Sequence, residues 1–158
     1  MTTSVSLSRE IAAPAELVWG LVSDLPRMGE WSPENTGGSW TKGATGPAVG
    51  ARFKGNNENG SKSWSTDVRV TVCEPGRAFG FEVKAVGFPV SVWSYTIEPT
   101  AAAGGCLVTE TWTDRRGAVA KFFSKSASGV ADRHAFTRES IETTLDNLAA
   151  AAEGDQKS

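Results

Sequence analysis

The sequence predicts an α+β fold in which an antiparallel sheet of about seven strands packs against a long C-terminal helix. The first observation is that residues 4–11, and again residues 51–114, alternate apolar and polar side chains as half-buried strands do. The second is that the apolar period becomes helical after residue 114. The third is that two short helical segments separate the first strand from the others. Elements segregated along the chain in this way are typical of α+β domains.

The N-terminal elements are defined by one alternating run and two breaks. Val5, Leu7 and Ile11 share one parity of a strand over residues 4–11, and Pro14 suits the first turn of a helix over 14–23. A second short helix is expected to end near Gly29. Residues 32–50 are rich in glycine and proline, so we expect a loop there, with a short strand around Trp40.

The sheet is predicted as a meander whose strands are separated by turn residues. Asn-Gly at the end of residues 56–60 indicates a hairpin turn. In the next strand one parity holds Trp64, Thr66, Val68, Val70 and Val72. Residues 90–98 place Val90 and Val92 on the parity opposite to Trp93, which indicates either a bulge or a covered outer face.

The last strand contains an acidic residue whose orientation the pattern leaves open. Glu110 shares its parity with Val108 and Trp112, whereas Thr109 and Thr111 lie on the other. If Glu110 points inward, its carboxyl lies in an apolar pocket and its pKa is raised. If the strand is shifted by one residue, the threonines point inward and Glu110 is solvated.

The C-terminal residues predict a long amphipathic helix that ends near Ala152. Its apolar stripe consists of Val119, Phe122, Phe123, Val130, His134, Ile141, Leu145 and Leu148, with Ser126 to Gly129 as the place for a kink. We expect residues 1–152 to form a single ligand-binding domain. Residues 153–158 are expected to be a disordered tail.

Composition excludes several classes of function. The 158 residues carry a net charge of −2 with no basic block, which argues against nucleic acid as a partner. The N-terminus resembles neither a signal peptide nor a membrane span, so we expect a cytoplasmic protein without membrane insertion. Cys73 and Cys106 lack metal-ligand spacing and the chain has a single histidine, so no metal site and no cofactor is expected.

The tryptophan content indicates an interior pocket. The chain has six tryptophans but only three isoleucines, and wide rings with polar edges suit the wall of a cavity better than an aliphatic core. For any one ring, ordinary core packing is the alternative. The residues expected to contact a ligand are Trp31, Phe53, Trp64, Phe79, Phe81, Trp93, Tyr95, Glu110, Trp112, Val130 and His134.

The chain also resembles a known family. The segments that carry the resemblance are "IAAPAELVWGLVSDLPRMGEWSPE", "GPAVGARF", "VCEPGRAFGFEV", "WSYTIEP", "GGCLVTETW" and "IETTLDNLAA". In order and spacing they resemble the START-like (SRPBCC) superfamily, in its polyketide cyclase/dehydrase and lipid-transport branch. This resemblance implies a helix-grip fold, with a curved sheet wrapped around the C-terminal helix and a ligand cavity between them.

Three functions remain open at this stage. The first is binding of a small hydrophobic or aromatic molecule, such as a lipid or a polyketide-like compound. The second is a cyclase or dehydratase in which Glu110, His134 or Tyr95 transfers protons, His134 being turned inward by its place on the helical stripe. The third is a protein-interaction or chaperone co-factor module. The sequence leaves open whether the protein is a monomer or a dimer.

Overall fold

Seven strands and three α-helices make up the computed structural model, which describes residues 3–101, 104–130 and 132–157. The side chains of Val119, Phe123 and residues 155–157 lie outside this description. The strands are β1 (Ser4–Ile11), β2 (Asn35–Thr41), β3 (Arg52–Asn59), β4 (Lys62–Glu74), β5 (Ala78–Ala85), β6 (Phe88–Pro99) and β7 (Cys106–Asp114). The helices are α1 (Ala15–Val22), α2 (Ala118–Ser128) and α3 (Arg133–Lys157), with a 3₁₀ helix at Leu25–Glu30.

The strands form one antiparallel sheet in the order β1-β7-β6-β5-β4-β3-β2. The chain therefore runs as a meander from β2 to β7, and β1 closes the sheet by pairing with β7. The sheet curves around α3, and α1 covers the same face. This arrangement confirms the predicted α+β helix-grip fold and its two short helices after the first strand.

Two register shifts change which side chains point inward. The shift between Val70 and Val72 in the β4–β5 ladder turns Val72 outward, where it is exposed, so the parity that Val72 was predicted to share ends at Val70. In the β5–β6 ladder Val83 pairs with Ser91 and Lys84 with Pro89, which leaves Val90 as the extra residue of a bulge. Of the two interpretations offered for Val90, the bulge is correct.

The turn predicted over residues 56–60 is shorter than expected. Asn59 pairs with Lys62, so β3 continues through the asparagines and only Gly60 and Ser61 form the turn. Gly60 has a positive φ of 60°, which favours glycine. The Asn-Gly signal located the hairpin, but pairing with β4 keeps the polar residues before it extended.

The C-terminal region contains two helices where one kinked helix was predicted. Gly129, with φ of 73°, ends α2 in the left-handed conformation, and α3 begins only at Arg133. Phe122 of the expected stripe is exposed, and the side chains of Val119 and Phe123 lie outside the described residues. At the other end α3 continues to Lys157, beyond the end predicted near Ala152.

The inner face of the sheet is divided into a packed half and an open half. In the packed half Val70, Phe79, Ile97 and Val108 are fully or nearly fully buried against α1 and the C-terminal half of α3. The α3 residues in this core are Ile141, Leu145, Leu148, Ala149 and Ala152. The open half lies opposite the N-terminal half of α3 and contains the pocket described next.

Candidate ligand-binding site

A pocket of about 500 Å³ lies between the open half of the sheet, α2 and the N-terminal half of α3. Besides Arg133 in its first turn, α3 lines the pocket with Thr137, Ser140 and Thr144, three small side chains that recur at helical intervals. On the sheet side the lining residues are mostly large. Small side chains on the helix opposite large ones on a curved sheet leave the intervening volume unfilled. The volume is in the range of pockets that bind small organic molecules.

Aromatic rings form the sheet side of the pocket. Phe53, Phe81, Trp64, Trp93 and Trp112 all line it, from five different strands. They share one face because each lies on the inward parity of its strand. The Trp93 indole N–H donates to Ser91 Oγ at 3.1 Å, so this indole has its polar edge satisfied while the ring remains available for contact.

The pocket opens between the β5–β6 hairpin and α2. Val86 at the hairpin tip lines the pocket and is nevertheless 92% exposed, as only a residue at an opening can be. Phe88, also in the lining, is exposed as well. On the opposite side Ala120, Ser124 and Ala127 of α2 line the same opening. The entrance is therefore bordered mostly by apolar side chains, with the Ser124 hydroxyl among them.

One polar pair lies inside the pocket. The Tyr95 hydroxyl donates a hydrogen bond to Glu110 Oε1 at 2.8 Å, because β6 and β7 place the two residues directly opposite each other. Glu110 is 2% exposed and Tyr95 is equally deep. The second carboxyl oxygen, Glu110 Oε2, is buried and has no hydrogen-bond partner among the described residues. Burying a polar atom without a hydrogen-bond partner is unfavourable, so its presence calls for an explanation, such as a functional role.

Burial controls the ionisation of this pair. Desolvation raises the pKa of Glu110 from its ordinary value of 4.5 to about 8, although the hydrogen bond from Tyr95 opposes the change. Burial, together with the neighbouring carboxyl, also raises the pKa of Tyr95 well above its ordinary value. At neutral pH Glu110 is therefore mostly an uncharged carboxylic acid.

The two arginines that line the pocket are both paired with carboxylates. Arg133 donates to Glu34 at 2.9 Å, and Arg116 donates two hydrogen bonds to Asp114, the shorter at 2.8 Å. Arg116 also donates to Ser124 Oγ, which ties α2 to the end of β7. Because each guanidinium is next to its own carboxylate, the lining carries no net charge from these pairs.

Most of the predicted contact residues come together in the pocket. Those that line it are Phe53, Trp64, Phe81, Trp93, Tyr95, Glu110 and Trp112. Glu110 points inward, which resolves the parity that the sequence left open. Its proximity to Tyr95 follows from the β6–β7 register, which the sequence did not specify.

Four predicted contact residues lie elsewhere. Phe79 packs edge-on against Trp19 with ring centroids 6.3 Å apart, in the packed half of the sheet. Trp31 is buried beneath Arg27, and its carbonyl oxygen accepts a hydrogen bond from Asn147. Val130 is buried in the segment between α2 and α3 and does not line the pocket.

His134, the fourth, is exposed and does not line the pocket, so its predicted inward orientation is wrong. Its ring centroid is 6.5 Å from that of Trp112, at an interplanar angle of 72°. At this end of α3 the pocket is lined by Arg133 and Thr137, whereas His134 between them is exposed. The apolar stripe therefore indicated the wrong side of the helix for this residue, and His134 does not line the pocket with the Glu110–Tyr95 pair.

The sequence reasoning missed the hydroxyl residues and arginines of the lining. Thr137, Ser140 and Thr144 fall on one helical face, and this spacing was visible in the sequence. They were overlooked because a search for apolar stripes ignores small polar residues. No sequence signal locates the Arg133–Glu34 pair, because its members are 99 residues apart.

Two further observations concern other kinds of site. In the part of the chain that the structure describes, no three His, Cys, Asp or Glu side chains are grouped so that they could hold a metal ion. Among the same residues, no helix combines the length and apolarity needed to cross a membrane.

Solved structures similar to this chain share its fold. The Polyketide_cyc-like protein Cgl2372 from Corynebacterium glutamicum is 33% identical, with a TM-score of 0.54, over 99% of this chain and 86% of that chain. A START superfamily protein from Mycobacterium smegmatis is 19% identical, with a TM-score of 0.66, over 98% and 99% of the two chains. The di-domain ARO/CYC StfQ of the steffimycin biosynthetic pathway is 12% identical, with a TM-score of 0.75, over 100% of this chain and 53% of that chain.

Family membership follows from a match along almost the whole sequence. No protein with a curated function matches the chain significantly. The model of the family described as polyketide cyclase/dehydrase and lipid transport, however, matches residues 2–153. This chain therefore belongs to the polyketide cyclase/dehydrase and lipid transport family.

Proposed function

We propose that this protein binds a small hydrophobic or aromatic molecule in the pocket between the sheet and α3. The observation that carries the proposal is the combination of a pocket of about 500 Å³, rings from five strands along one wall and a mostly apolar entrance. Pockets with mostly apolar walls and a few convergent polar groups are typical of small-molecule sites. The family description, which includes lipid transport, supports the same class of ligand.

The expected driving force is removal of apolar surface from water. Each 100 Å² of apolar ligand surface buried against these rings contributes about 2.5 kcal/mol before the entropic cost of association. Stacking on the faces of Trp64, Trp93 and Trp112 favours flat ligands over bulky ones.

Binding can be tested with an uncharged apolar fluorophore, N-phenyl-1-naphthylamine, whose emission rises in apolar surroundings. We expect saturable binding to the unmodified protein. Ser140→Phe, which places a ring in the pocket from α3, should weaken this binding at least about tenfold, because it occupies the volume that the probe needs. Thr143→Phe is the matched control, since it adds a ring on the exposed side of the same helix. Equal affinity in both variants, or no saturable binding at all, would reject the proposal.

A second candidate function is proton-transfer catalysis of the cyclase or dehydratase kind. The observation that favours it is the buried Tyr95–Glu110 pair, because a carboxyl with a pKa near 8 can donate or accept a proton close to neutral pH. Under this alternative, Glu110→Gln would abolish turnover of a polyketide-like substrate while the fluorophore still binds. Under the binding proposal, no such turnover is detected in either protein.

The cytoplasm is the compartment that we propose for this activity. Cys73 and Cys106 are both free thiols, which fits a reducing environment. Measuring where the tagged full-length protein fractionates in its own cell would test this.

A further inference from the structure

We infer that the ligand is an uncharged, largely apolar molecule with one oxygen acceptor, such as a carbonyl, which accepts a hydrogen bond from the Glu110 carboxylic acid through Oε2. This inference rests on the proposed function, because it names the chemical class of the ligand for the same pocket. It goes further by identifying the protein atom that recognises the ligand and the kind of group recognised.

The two oxygens of the Glu110 carboxyl have different surroundings. Tyr95 donates to Glu110 Oε1 at 2.8 Å, so that oxygen acts as an acceptor. Oε2 is buried in a pocket-lining residue and has no partner among the described residues. When the carboxyl is protonated, the oxygen that accepts from Tyr95 keeps the carbonyl role and the proton resides on Oε2. The group available to a ligand is then a donor, and its complement is an oxygen acceptor.

Glu110 can donate to a ligand only while its carboxyl is protonated. Burial raises the pKa of Glu110 to about 8, so the acid form predominates at neutral pH. Tyr95 is the titratable group next to Glu110. The charged side chains that line the pocket around this pair are Glu34, Arg116 and Arg133. Arg133 is paired with Glu34 and Arg116 with Asp114, so neither arginine is a free cation facing Glu110.

The lining of the pocket disfavours charged ligands. An anion would need an uncommitted cation in the lining, yet both arginines there are engaged by carboxylates. A cation would need Glu110 to be ionised at a depth that favours its neutral form. An uncharged ligand avoids both penalties, because burying an unpaired charge is far more unfavourable than burying a hydrogen-bonded polar group.

The test uses three flat three-ring ligands: fluorene, fluorenone, which adds a carbonyl oxygen, and 10-methylacridinium, which is a permanent cation. Each displaces N-phenyl-1-naphthylamine from the pocket, so each affinity is measured in the same assay. The key quantity is the preference for fluorenone over fluorene. The double variant Tyr95→Phe/Glu110→Leu provides the baseline, because it removes both hydrogen-bonding partners together and leaves no buried polar group unpaired.

We expect the fluorenone preference in the unmodified protein to exceed that of the double variant about fivefold to tenfold, the size of one hydrogen bond. The preference should decrease as the pH rises above 8, because Glu110 then loses the donated proton. Glu110→Gln should keep the preference and lose its pH dependence, since an amide N–H can donate at every pH.

Failure of the inference is distinguishable from failure of the proposed function. If the preference for fluorenone over fluorene is the same in the unmodified protein and in the double variant, the inference is wrong and the pocket is still a ligand site. Tighter binding of 10-methylacridinium than of fluorenone at neutral pH would also overturn it, because Glu110 would then act as an anion at a pH where the inference requires the carboxylic acid. If none of the three ligands displaces the probe and the probe itself does not bind, the proposed function fails.

Discussion

Replacing Glu110 by Gln should change how the stability of this protein depends on pH. Glu110 is 2% exposed, and burial raises its pKa from 4.5 to about 8 in the folded protein. The unfolded chain, in which this carboxyl is solvated, therefore loses its proton at a much lower pH than the folded one does. Between these two pKa values the folded state binds one more proton than the unfolded state, so a rise in pH favours unfolding.

The magnitude follows from the same pKa values. The free energy of unfolding should fall by about 1.4 kcal/mol per pH unit between the two pKa values, or about 3 kcal/mol from about pH 5.5 to about pH 7.5. Gln has no proton to lose and its amide oxygen can still accept from Tyr95. The free energy of unfolding of Glu110→Gln, relative to that of the unmodified protein, should therefore increase by about 3 kcal/mol from about pH 5.5 to about pH 7.5. It should level off above pH 8.

Urea unfolding curves at a series of pH values, for both proteins, measure this difference directly. Glu98→Gln serves as the control, because Glu98 is an exposed carboxyl on the neighbouring strand β6 and its replacement should give a flat difference. A difference for Glu110→Gln that is also flat with pH would refute the reasoning. It would mean that water reaches the carboxyl or that an ionised form is stabilised in the pocket.

Three further predictions concern individual positions. Gly38→Ala should lower the free energy of unfolding in urea by about 3 kcal/mol or more, because Gly38 has φ of 149° and a Cβ there would lie 2.0 Å from the Lys54 carbonyl oxygen. Gly43→Ala, the control with open space around it, should lower the same free energy by about 1 kcal/mol. Val86→Asn should raise stability by about 1 kcal/mol in the same assay, because Val86 has φ of 50° in a two-residue turn that suits Asn-Gly, and a loss of stability would contradict this. His134→Ala should leave the affinity for N-phenyl-1-naphthylamine within about twofold, since His134 is exposed and outside the lining; a larger loss would place it in the site.

The fold was predictable because alternation and helical period are local signals that tertiary packing preserved. The strands of Val5 and Ile11, and of Phe79 and Phe81, appear where their alternation places them. The predictions are wrong where strand pairing, or the end of a helix, overrides the local pattern of the sequence. The bulge after Val70 interrupts the alternation of β4, and Gly129 in the left-handed conformation ends one helix where an apolar stripe indicated continuation.

The site was predictable in its composition but not in its geometry. Aromatic residues on inward parities identified most of the sheet wall, including Trp64, Trp93 and Trp112. Which half of the sheet stays open depends on small residues of α3 that no apolar pattern reveals. The pairing of Tyr95 with Glu110 depends on the register of β6 against β7, which is a property of the assembled sheet.

The most direct test of a binding pocket in the open half of the sheet is a nuclear magnetic resonance titration of the six indole N–H signals with fluorenone. Trp64, Trp93 and Trp112 line the pocket, whereas Trp19, Trp31 and Trp40 do not. The signals of the first three should shift saturably while the other three remain in place. Absence of any saturable shift, or shifts confined to Trp19, Trp31 and Trp40, would contradict the account.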